Sequence, residues 1–369
     1  MPHLAVFSTN GSGLNAWQDV GSLSREVAIY KVLSKHGWDV SFYTYDRTRH
    51  LPRLGFDAKV YSQRPYLFPR SMDFIYQGLV GVLRYFSGCK TSVVVTNQAH
   101  GGWPAVIAAR LWGAKVIARC GMVHGECSEV TGKAGKRARK KADAERWTFR
   151  HSDMCFIPTK ELADWVQLNY GIDREKICVI PNYVDTDVFR PIDTVQKKYD
   201  IVCVGRLVDK KRYELLIEAL SGSGLKVHII GSGKNRDKLL ELAKERSVNL
   251  DITLRVEHDE LAECYNQADI YVNVAMWEGH PKALIEAMAC GCACIGTDSP
   301  GVKNQIVDGV NGLLSGSEPE AIGAAVDRLV SDRPLRERLG RNAREYSVQN
   351  FSLDNVFQKY EEALERVLA

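Results

Sequence analysis

The sequence contains no uninterrupted apolar run that approaches the ~18 residues needed for a membrane-spanning helix. Its first residues lack the basic region and cleavage pattern of a secretory signal peptide, and the apolar run at residues 4–7 instead predicts a first strand. No His or further Cys pair follows Cys290, Cys292 and Cys294 at zinc-ligand spacing, and the basic stretch at residues 133–141 lacks the interleaved aromatics typical of nucleic-acid binding. We therefore expect a protein that has neither a membrane span nor a signal peptide and that binds no nucleic acid.

The fingerprint motifs of nucleotide binding are also missing, because the chain has neither G-x-G-x-x-G nor a P-loop with its lysine. Gly231-Ser232-Gly233 follows an apolar run and imitates a dinucleotide turn, but position 236 is Arg236. An ordinary tight turn is the alternative for this segment. Asp185-Thr186-Asp187 superficially resembles a metal-binding D-x-D motif, yet it lies in a proline-bounded connection where Asp and Thr form turns and caps.

Ten cysteines in 369 residues do not indicate a disulfide scaffold. Cys290, Cys292 and Cys294 alternate along the chain, and alternate residues of a strand point to opposite faces. This spacing favours buried strand thiols over a metal site. A reducing compartment is the simplest setting for them.

The net charge of +4 conceals an asymmetry between the two halves of the chain. Residues 1–185 contain 25 basic and 16 acidic side chains, a net charge of +9, whereas the remainder contains 24 and 29, a net charge of −5. A basic first half favours an anionic partner, such as a phosphate, an acidic lipid surface or an acidic glycan. Within it, six basic residues crowd into nine positions, and either a solvated helix face or an arm that meets an anionic acceptor or membrane accounts for them: Lys133, Lys136, Arg137, Arg139, Lys140 and Lys141.

Short β-rich apolar runs alternate with amphipathic helical segments, and the whole pattern occurs twice. The runs are residues 4–10, 39–45, 92–97, 115–120, 154–158 and 177–181, then 200–206, 226–231, 252–256, 270–275 and 292–297. This repetition predicts an α/β protein with two Rossmann-like, doubly wound parallel-sheet domains that face each other across a cleft. We expect residues 1–185 to form one of these domains and residues 186–350 to form the other. Residues 351–369 predict a C-terminal helix that packs back on the first domain.

The most informative segment runs from Trp277 to Gly291 and carries two glutamates eight positions apart. Glu278 lies in a Gly/Pro turn, at the mouth of a helix in which Pro281 suits the first position. Free backbone N–H groups at such a helix mouth favour an anion. Glu286 lies inside the helix. The segment predicts a polar pocket for a phosphate-bearing, hydroxyl-rich ligand.

Two cations precede this segment in the sequence. Arg206 is expected to end a strand and Lys211 to open the next helix, so both side chains would project into the crevice above the sheet. Fixed cations in that position stabilise the negative charge of a departing diphosphate. A solvated turn of mixed charge is the alternative.

The first half offers weaker candidates after its strands. The loop Gly21-Ser22 precedes a helix and is suited to phosphate binding or to plain flexibility. His124 and His100 each follow a strand, where a histidine hydrogen-bonds to a sugar hydroxyl or is a structural residue. Arg119 ends the same strand that precedes His124 and is expected to face the cleft.

Together these segments resemble the large family of retaining, GT-B-fold glycosyltransferases usually called family 4. Four segments carry the resemblance besides Glu278–Gly291, and they are Val204-Gly205-Arg206-Leu207 with Lys211, Ile229–Gly233, Pro181–Asp185 and Gly309–Leu314. The match is specific over residues 177–315 and is loose over residues 1–176. The acceptor side is therefore less defined by the sequence than the donor side.

The resemblance implies that residues 1–185 form an acceptor-side domain and that residues 186–350 form a nucleotide-sugar-binding domain. It also implies a role for each matching residue. Arg206, Lys211, Glu278 and His124 would act in catalysis, the first two on the diphosphate and Glu278 on the donor sugar. Glu286 would bind the ribose hydroxyls, and Val256 would line the base. The remaining donor-side positions are Gly21, Ser22, Gly205, Gly231, Gly279, His280, Pro281, Lys282, Ala283 and Leu284. His280 replaces the Phe common at its position, which implies a more polar sugar pocket. Arg119 and the basic residues Lys136, Arg137, Arg139 and Lys140 would serve an acceptor or a membrane.

The implied reaction moves a hexosyl group from a UDP- or GDP-sugar to a glycan, lipid-linked or phosphorylated acceptor, without a metal or other cofactor. It retains the anomeric configuration by front-face transfer, in which the departing phosphate accepts the proton of the acceptor hydroxyl. We expect a cytoplasmic enzyme that contacts anionic membrane peripherally. The alternatives are a nucleotide-sugar epimerase or a sugar phosphorylase on the same fold, and a non-catalytic glycan-binding protein.

Overall fold

The structure, a computed structural model, describes residues 1–9, 12–46, 51–62, 91–132 and 135–369. The basic residue Lys133 named above lies outside these ranges. Packing divides the chain into two compact units, one of residues 1–181 with 356–369 and the other of residues 182–355.

The first unit is built on a parallel sheet whose described strands follow the order β3-β2-β1-β4-β5-β6-β7. The strands are β1 His3–Phe7, β2 Asp39–Thr44, β3 Lys59–Ser62, β4 Val93–Thr96, β5 Lys115–Arg119, β6 Met154–Ile157 and β7 Ile177–Val179. The α-helices are α1 Leu14–Asp19, α2 Leu23–Lys35, α3 Trp103–Trp112, α4 His124–Val130, α5 Lys136–Arg150 and α6 Lys160–Tyr170, with short 3-10 turns at Ala99–Gly101 and Arg174–Lys176.

The central strands of this sheet are buried because their residues are apolar on both faces. In the register, Ala5 of β1 pairs with Ser41 of β2 on one side and with Val94 of β4 on the other, and all three are inaccessible to solvent. Aromatic side chains cover one face, where Phe7 stacks on Tyr43 at 4.7 Å between ring centroids. Strands covered on both faces read as continuous apolar runs, which is why the sequence predicts them well.

The second unit repeats the design with the strand order β10-β9-β8-β11-β12-β13, again with every pair parallel. Its strands are β8 Ile201–Val204, β9 Lys226–Ile230, β10 Asn249–Thr253, β11 Ile270–Asn273, β12 Ala293–Thr297 and β13 Leu313–Ser315. Its helices are α7 Tyr213–Ala219, α8 Arg236–Glu245, α9 Leu261–Asn266, α10 Lys282–Ala289, α11 Pro319–Ser331 and α12 Arg333–Phe351, with 3-10 turns at Asp209–Lys211 and His258–Glu260.

The doubly wound α/β architecture predicted from the sequence is confirmed in both units. The strand order reverses between β1 and β4 in the first sheet and between β8 and β11 in the second. Such a switch point opens a crevice beyond the carboxyl ends of the strands, where open α/β sheets bind their ligands.

Three strand predictions need correction. β3 and β13 were not predicted, because each of these edge strands carries only two consecutive apolar side chains. The run at 252–256 predicts a strand that lies three residues further towards the N-terminus, at Asn249–Thr253. Thr253 forms the last register pair with β9, opposite Ile230, so Leu254–Val256 continue as a loop.

The chain enters and leaves the second unit at the same place. The Val184 N–H donates to the Phe351 carbonyl at 2.8 Å, and the Leu353 N–H donates to the Val184 carbonyl at 2.9 Å. These two bonds form a short parallel bridge between Val184 and Ser352. The first and last segments of the unit are therefore tied to each other by the backbone.

The last helix, α13, spans Leu353–Leu368, and the residues from 356 onward belong to the first unit. Its apolar face packs there, with Tyr360 against Phe156 at 5.0 Å and Phe357 against His36 at 4.5 Å between ring centroids. Within the ranges described above, no helix is both long and apolar enough to cross a bilayer.

Candidate functional site

Two glycine turns form the floor of a crevice at the switch point of the second sheet. Gly205 directly follows β8 and Gly231 directly follows β9. A Cβ atom at Gly231 would lie 2.0 Å from the Gly205 carbonyl oxygen, and one at Gly205 would lie 3.0 Å from Nζ of Lys211. Glycine is required at Gly231 because the backbones of the two turns touch. The predicted ordinary tight turn at Gly231-Ser232-Gly233 is thus also a packing element of the crevice.

Lys211 and Glu278 form an ion pair in this crevice. Nζ of Lys211 lies 2.5 Å from Oε1 of Glu278, and each side chain is only 13% exposed. Lys211 reaches the crevice from the loop after β8, and Glu278 reaches it from the loop after β11, the two strands that flank the switch point. Lys211 ends a 3-10 turn and does not open the helix as predicted, because Arg212 adopts a left-handed conformation, with φ of 50°, before α7 begins at Tyr213.

The backbone around Glu278 is fixed on both sides. The Met276 N–H donates to the Lys210 carbonyl at 2.9 Å, and the Glu278 N–H donates to the Pro300 carbonyl at 3.0 Å. A Cβ atom at Gly301 would lie 2.1 Å from the Glu278 carbonyl oxygen, so this loop also packs tightly. These contacts therefore fix the position of the Glu278 backbone relative to the neighbouring loops.

The crevice is electropositive around its one central carboxylate. Burial alone would raise the pKa of Glu278, but Lys211, Lys210 and Arg206 outweigh this effect and lower the pKa below its usual value. Arg206 follows Gly205, beyond the end of β8 at Val204, and its side chain is exposed. Three cations around one ionised carboxylate leave an excess of positive charge, which suits a phosphorylated ligand.

Helix α10 begins one residue later than predicted. Pro281 is its N-cap, and its carbonyl accepts hydrogen bonds from the Leu284 and Ile285 N–H groups at 3.2 and 3.4 Å. The buried residues Gly279 and His280 lead into this cap, and the partly buried Lys282 and Ala283 form the first turn. Glu278 thus precedes an eight-residue helix.

Glu286 lies on the buried face of α10, with 1% of its side chain exposed. Its Oε2 accepts a hydrogen bond from the Tyr265 hydroxyl at 3.0 Å, and its Oε1 lies 3.0 Å from Nε2 of His258. Neither partner was predicted, because they are 21 and 28 residues away in the sequence. A carboxylate accepts hydrogen bonds on both of its oxygens, and each of these two contacts orients one oxygen of Glu286.

His280 faces the apolar core of its unit. Its ring packs edge-on against Phe351 at 5.1 Å between centroids, its Nδ1 has no hydrogen-bond partner, and burial lowers its pKa to about 3. Its carbonyl accepts from the Asn182 side chain at 2.8 Å. Val256 is partly buried against the same cluster of apolar side chains, which contains Phe351.

In the first unit, Gly21 and Ser22 form the turn between α1 and α2. Gly21 has a φ of 70°, which the left-handed turn requires. The Ser22 N–H and hydroxyl both donate to the Trp17 carbonyl, at 2.8 and 3.4 Å, so this side chain supports the turn. Arg119 ends β5, where its side chain is partly buried and its charge lowers the pKa of Tyr30 against the larger raising effect of burial.

The two histidine candidates of the first unit are neighbours. Nε2 of His124 lies 3.2 Å from Nδ1 of His100, and the rings meet edge to face at 4.5 Å. His100 follows β4, and His124 begins α4 after β5. Burial is the main cause that lowers the pKa of both rings, that of His124 to about 4. Lys141 adds to the effect on both rings, and the neighbouring His100 adds more than Lys141 does to the effect on His124. Both imidazoles are therefore neutral at pH 7.

A buried carboxylate that the sequence did not reveal fixes the backbone of His124. Glu145 of α5 is inaccessible to solvent, and its two oxygens accept from the His124 N–H at 2.9 and 3.1 Å. The Tyr170 hydroxyl donates to the same carboxylate at 2.9 Å. Burial raises the pKa of Glu145 to about 7. The available signal is that Glu145 shares the helical stripe of the buried residues Thr148 and Phe149.

The basic residues named from the sequence lie on the exposed face of α5. Lys136, Arg137, Arg139 and Lys140 are all exposed there, and further along the helix Trp147 is 38% exposed. The alternative of a mobile arm does not apply to these four residues, because they form the first turns of a helix.

The weak metal candidates have structural contacts. Oδ1 of Asp185 accepts from the Asp187 and Val188 N–H groups at 3.1 and 3.4 Å, as expected of a turn residue. Cys290, Cys292 and Cys294 are buried free thiols. Across the described ranges, no group of three or more His, Cys, Asp or Glu side chains is arranged to hold a metal ion.

Two family models match the chain, one for each half. Residues 27–188 match the model described as Glycosyltransferase Family 4, and residues 185–346 match the model described as Glycosyl transferases group 1. A lipopolysaccharide core biosynthesis glycosyltransferase of Rhizobium meliloti is 28% identical over 221 residues, which are 58% of this chain and 64% of that protein. A D-inositol 3-phosphate glycosyltransferase of Nocardia farcinica is 28% identical over 223 residues, which are 54% of this chain and 49% of that protein. The similarity thus spans about half to two thirds of these relatives.

Solved structures share the fold over the whole chain. A sucrose-phosphate synthase of Thermosynechococcus elongatus superimposes with a TM-score of 0.81 at 17% identity, and the match covers 100% of this chain and 99% of that one. Anabaena HepE, in complex with UDP and glucose, superimposes with a TM-score of 0.77 at 14% identity, and the match covers 99% and 100% of the two chains. These likenesses identify the fold as GT-B.

Proposed function

This chain belongs to the family 4 type of glycosyltransferases, with a group 1 domain as its second half, and from that premise we propose that it transfers a hexosyl group from a nucleoside diphosphate sugar with retention of configuration. The observation that carries the proposal is the Lys211–Glu278 pair beside Arg206 at the switch point of the second sheet. A sugar nucleotide presents a diphosphate and a ring of hydroxyls, and this site offers fixed cations and a fixed carboxylate.

In the proposed reaction, Arg206 and Lys211 bind the diphosphate and stabilise the charge that develops as the bond to the anomeric carbon breaks. Lys211 exchanges part of its contact with Glu278 for a phosphate oxygen, and Glu278 then accepts hydrogen bonds from the donor sugar. With two cations on the leaving group, the reaction needs no metal. The freed phosphate oxygen accepts the proton of the acceptor hydroxyl, and the acceptor oxygen bonds to the face that the phosphate has just left.

Glu286 is the proposed partner of the ribose hydroxyls. Its carboxylate is buried and is oriented by Tyr265 and His258, and a carboxylate that accepts hydrogen bonds on both oxygens suits a diol. We favour a UDP-sugar as the donor, because HepE was solved in complex with UDP and with UDP-glucose. A GDP-sugar remains the second donor to test.

For the acceptor we propose a phosphorylated or lipid-linked hydroxyl compound, bound by the first unit. The support is the net charge of +9 over residues 1–185 and the exposed basic face of α5. Two relatives have names that mention compounds of this kind, one a D-inositol 3-phosphate glycosyltransferase and the other a lipopolysaccharide core biosynthesis glycosyltransferase. The same basic face would bring the enzyme to an anionic membrane surface at the periphery.

The test is transfer of radiolabelled sugar from UDP- and GDP-sugars by the wild-type chain and by Arg206→Ala. We expect the substitution to lower transfer at least ~100-fold, because one fixed cation on the leaving group is lost. Lys226→Ala, which removes an exposed cation at the start of β9, is the matched control and is expected to leave transfer unchanged.

Three outcomes would overturn parts of this proposal. Equal activity of wild type and Arg206→Ala would remove the diphosphate role of Arg206. A product with inverted anomeric configuration, detected by NMR of the glycoside, would contradict front-face transfer. Release of epimerised free sugar from donor alone would identify the chain as an epimerase.

A further inference from the structure

The contact between His100 and His124 has a consequence for the chemistry of both rings. Each neutral imidazole carries one N–H and one bare nitrogen. The bond between Nε2 of His124 and Nδ1 of His100 uses one N–H as donor and one bare nitrogen as acceptor. The two remaining nitrogens, Nδ1 of His124 and Nε2 of His100, must then differ, so that one donates and the other accepts.

The surroundings leave these two outer nitrogens available. Both rings are only partly buried, and no hydrogen bond to either outer nitrogen occurs within the part of the chain that the structure describes. His100 lies in the turn after β4, and β4 and β1 flank the switch point of the first sheet. This is the edge of an open α/β sheet at which ligands bind.

The backbones of both histidines are also held in place by contacts with α5. Glu145 accepts from the backbone N–H of His124, and Tyr170 fixes Glu145 in turn. The Gly102 end of the His100 turn packs against α5 as well, since a Cβ atom on Gly102 would lie 2.8 Å from Thr148. Because both backbones rest on one helix, the distance between the rings is set by the fold.

We propose that His100 is a positioning residue, which fixes the ring nitrogen of His124 that carries the proton and thereby decides whether His124 accepts from or donates to a substrate hydroxyl. The inference rests on the proposed function for the identity of the substrate. It makes His100 and His124 one hydrogen-bonding unit, in place of the two alternative histidines that the sequence suggests. A hydroxyl is the matching ligand, because it can act as donor or acceptor.

The experiment follows the His124 tautomer in the full chain labelled with ¹⁵N-histidine, by two-bond ¹H–¹⁵N correlation at pH 8. His124→Asn assigns the signals. In the wild type we expect one protonated and one bare nitrogen in His124. In His100→Phe we expect intermediate ¹⁵N shifts, because without its partner the ring exchanges between tautomers. His151→Asn, which removes another ring of the same unit, is the control and should leave the His124 signals unchanged.

Activity gives the second readout. We expect His100→Phe to lower kcat about five- to tenfold, the effect of one misdirected hydrogen bond, with little change in the donor KM. His100→Asn places an amide group, which can donate or accept, near the position of Nδ1 and should retain kcat within about twofold. Averaged tautomers of His124 in the wild type, an unchanged tautomer in His100→Phe, or equal losses in both His100 variants would overturn the proposal. Absence of any transfer by the wild type would overturn the proposed function instead, and the NMR test would still decide on the histidine pair.

Discussion

Nζ of Lys211 and Oε1 of Glu278 lie 2.5 Å apart, and the two side chains leave only 13% of their surface exposed. This ion pair links the loops after β8 and β11. If the pair also binds the donor, as proposed, its removal should affect both stability and catalysis.

Lys211→Met should lower kcat about 100-fold or more, because the leaving group loses a fixed cation. It should also lower the urea midpoint, because Glu278 keeps its buried charge without its closest partner. Lys234→Met removes a lysine that pairs with Asp209 on the surface and is the matched control, with little expected effect on either quantity. A variant with full activity would exclude Lys211 from the reaction.

Tyr265→Phe tests the support of Glu286. The substitution removes the hydroxyl that donates to Oε2 and should cost about 1–3 kcal/mol of unfolding free energy, the usual penalty for a buried acceptor that loses its partner. If Glu286 binds ribose, the donor KM should rise while kcat changes little. Tyr199→Phe removes an exposed hydroxyl that donates to Asp251 and should change neither.

Gly231→Ala should destabilise the second unit severely, because its Cβ would lie 2.0 Å from the Gly205 carbonyl oxygen. Gly222→Ala is the control, since Gly222 has a φ of 70° but nothing within 4 Å of the added atom. Strained backbone alone costs about 1–2 kcal/mol, so the urea midpoint should fall at least twice as far for Gly231→Ala. Equal shifts would contradict the close contact of the two turns.

The buried ring of His280 predicts a dependence of stability on pH. Its pKa is lowered from 6.5 to about 3 in the folded chain, so the unfolded state binds the proton between these values. Stability contributed by the neutral ring is present above pH 6.5 and is lost as pH falls towards 3. At pH 5 this loss amounts to about 2 kcal/mol, and His280→Phe should abolish it. Urea midpoints of both chains at pH 5 and pH 8 measure the difference, and parallel pH dependences would refute it.

Charge reversal on α5 tests the membrane proposal. The double substitution Arg137→Glu and Lys140→Glu should lower the affinity for vesicles rich in phosphatidylserine at least tenfold, since each surface cation contributes about 1 kcal/mol. Co-sedimentation with the vesicles measures this affinity. Added salt should release the wild type. Lys238→Glu with Lys244→Glu, on α8 of the second unit, should bind like the wild type. Equal binding by all three chains would argue against α5 as the contact.

Features that depend on local sequence patterns could be predicted, whereas features that depend on contacts between residues distant in the sequence could not. The repeated strand and helix pattern indicates both doubly wound sheets, because the central strands are buried over four or five residues and carry three or four consecutive apolar side chains. The edge strands β3 and β13 were not predicted, since each carries only two consecutive apolar side chains. The late start of α10 and the 3-10 turn before Arg212 depend on backbone hydrogen bonds that spacing does not specify.

Contacts across long stretches of sequence explain the remaining differences. Tyr265 and His258 approach Glu286 from α9 and the turn before it, and Glu145 reaches His124 from the next helix. The sequence places His100 and His124 in equivalent positions after neighbouring strands, but only the fold brings their rings together. His280 fits the motif position and yet packs on Phe351, because the turn before α10 directs it inward.

The backbone hydrogen bonds that join Val184 to Phe351 and Leu353 hold the first and last segments of the second unit side by side. Because the chain enters and leaves the second unit next to these hydrogen bonds, the whole unit could be replaced by that of a relative through two neighbouring junctions. If the first unit binds the acceptor and the second unit binds the donor, as proposed, each chimera would have the acceptor preference of one parent and the donor preference of the other. The junction itself needs no redesign where both parents form the same pair of backbone hydrogen bonds.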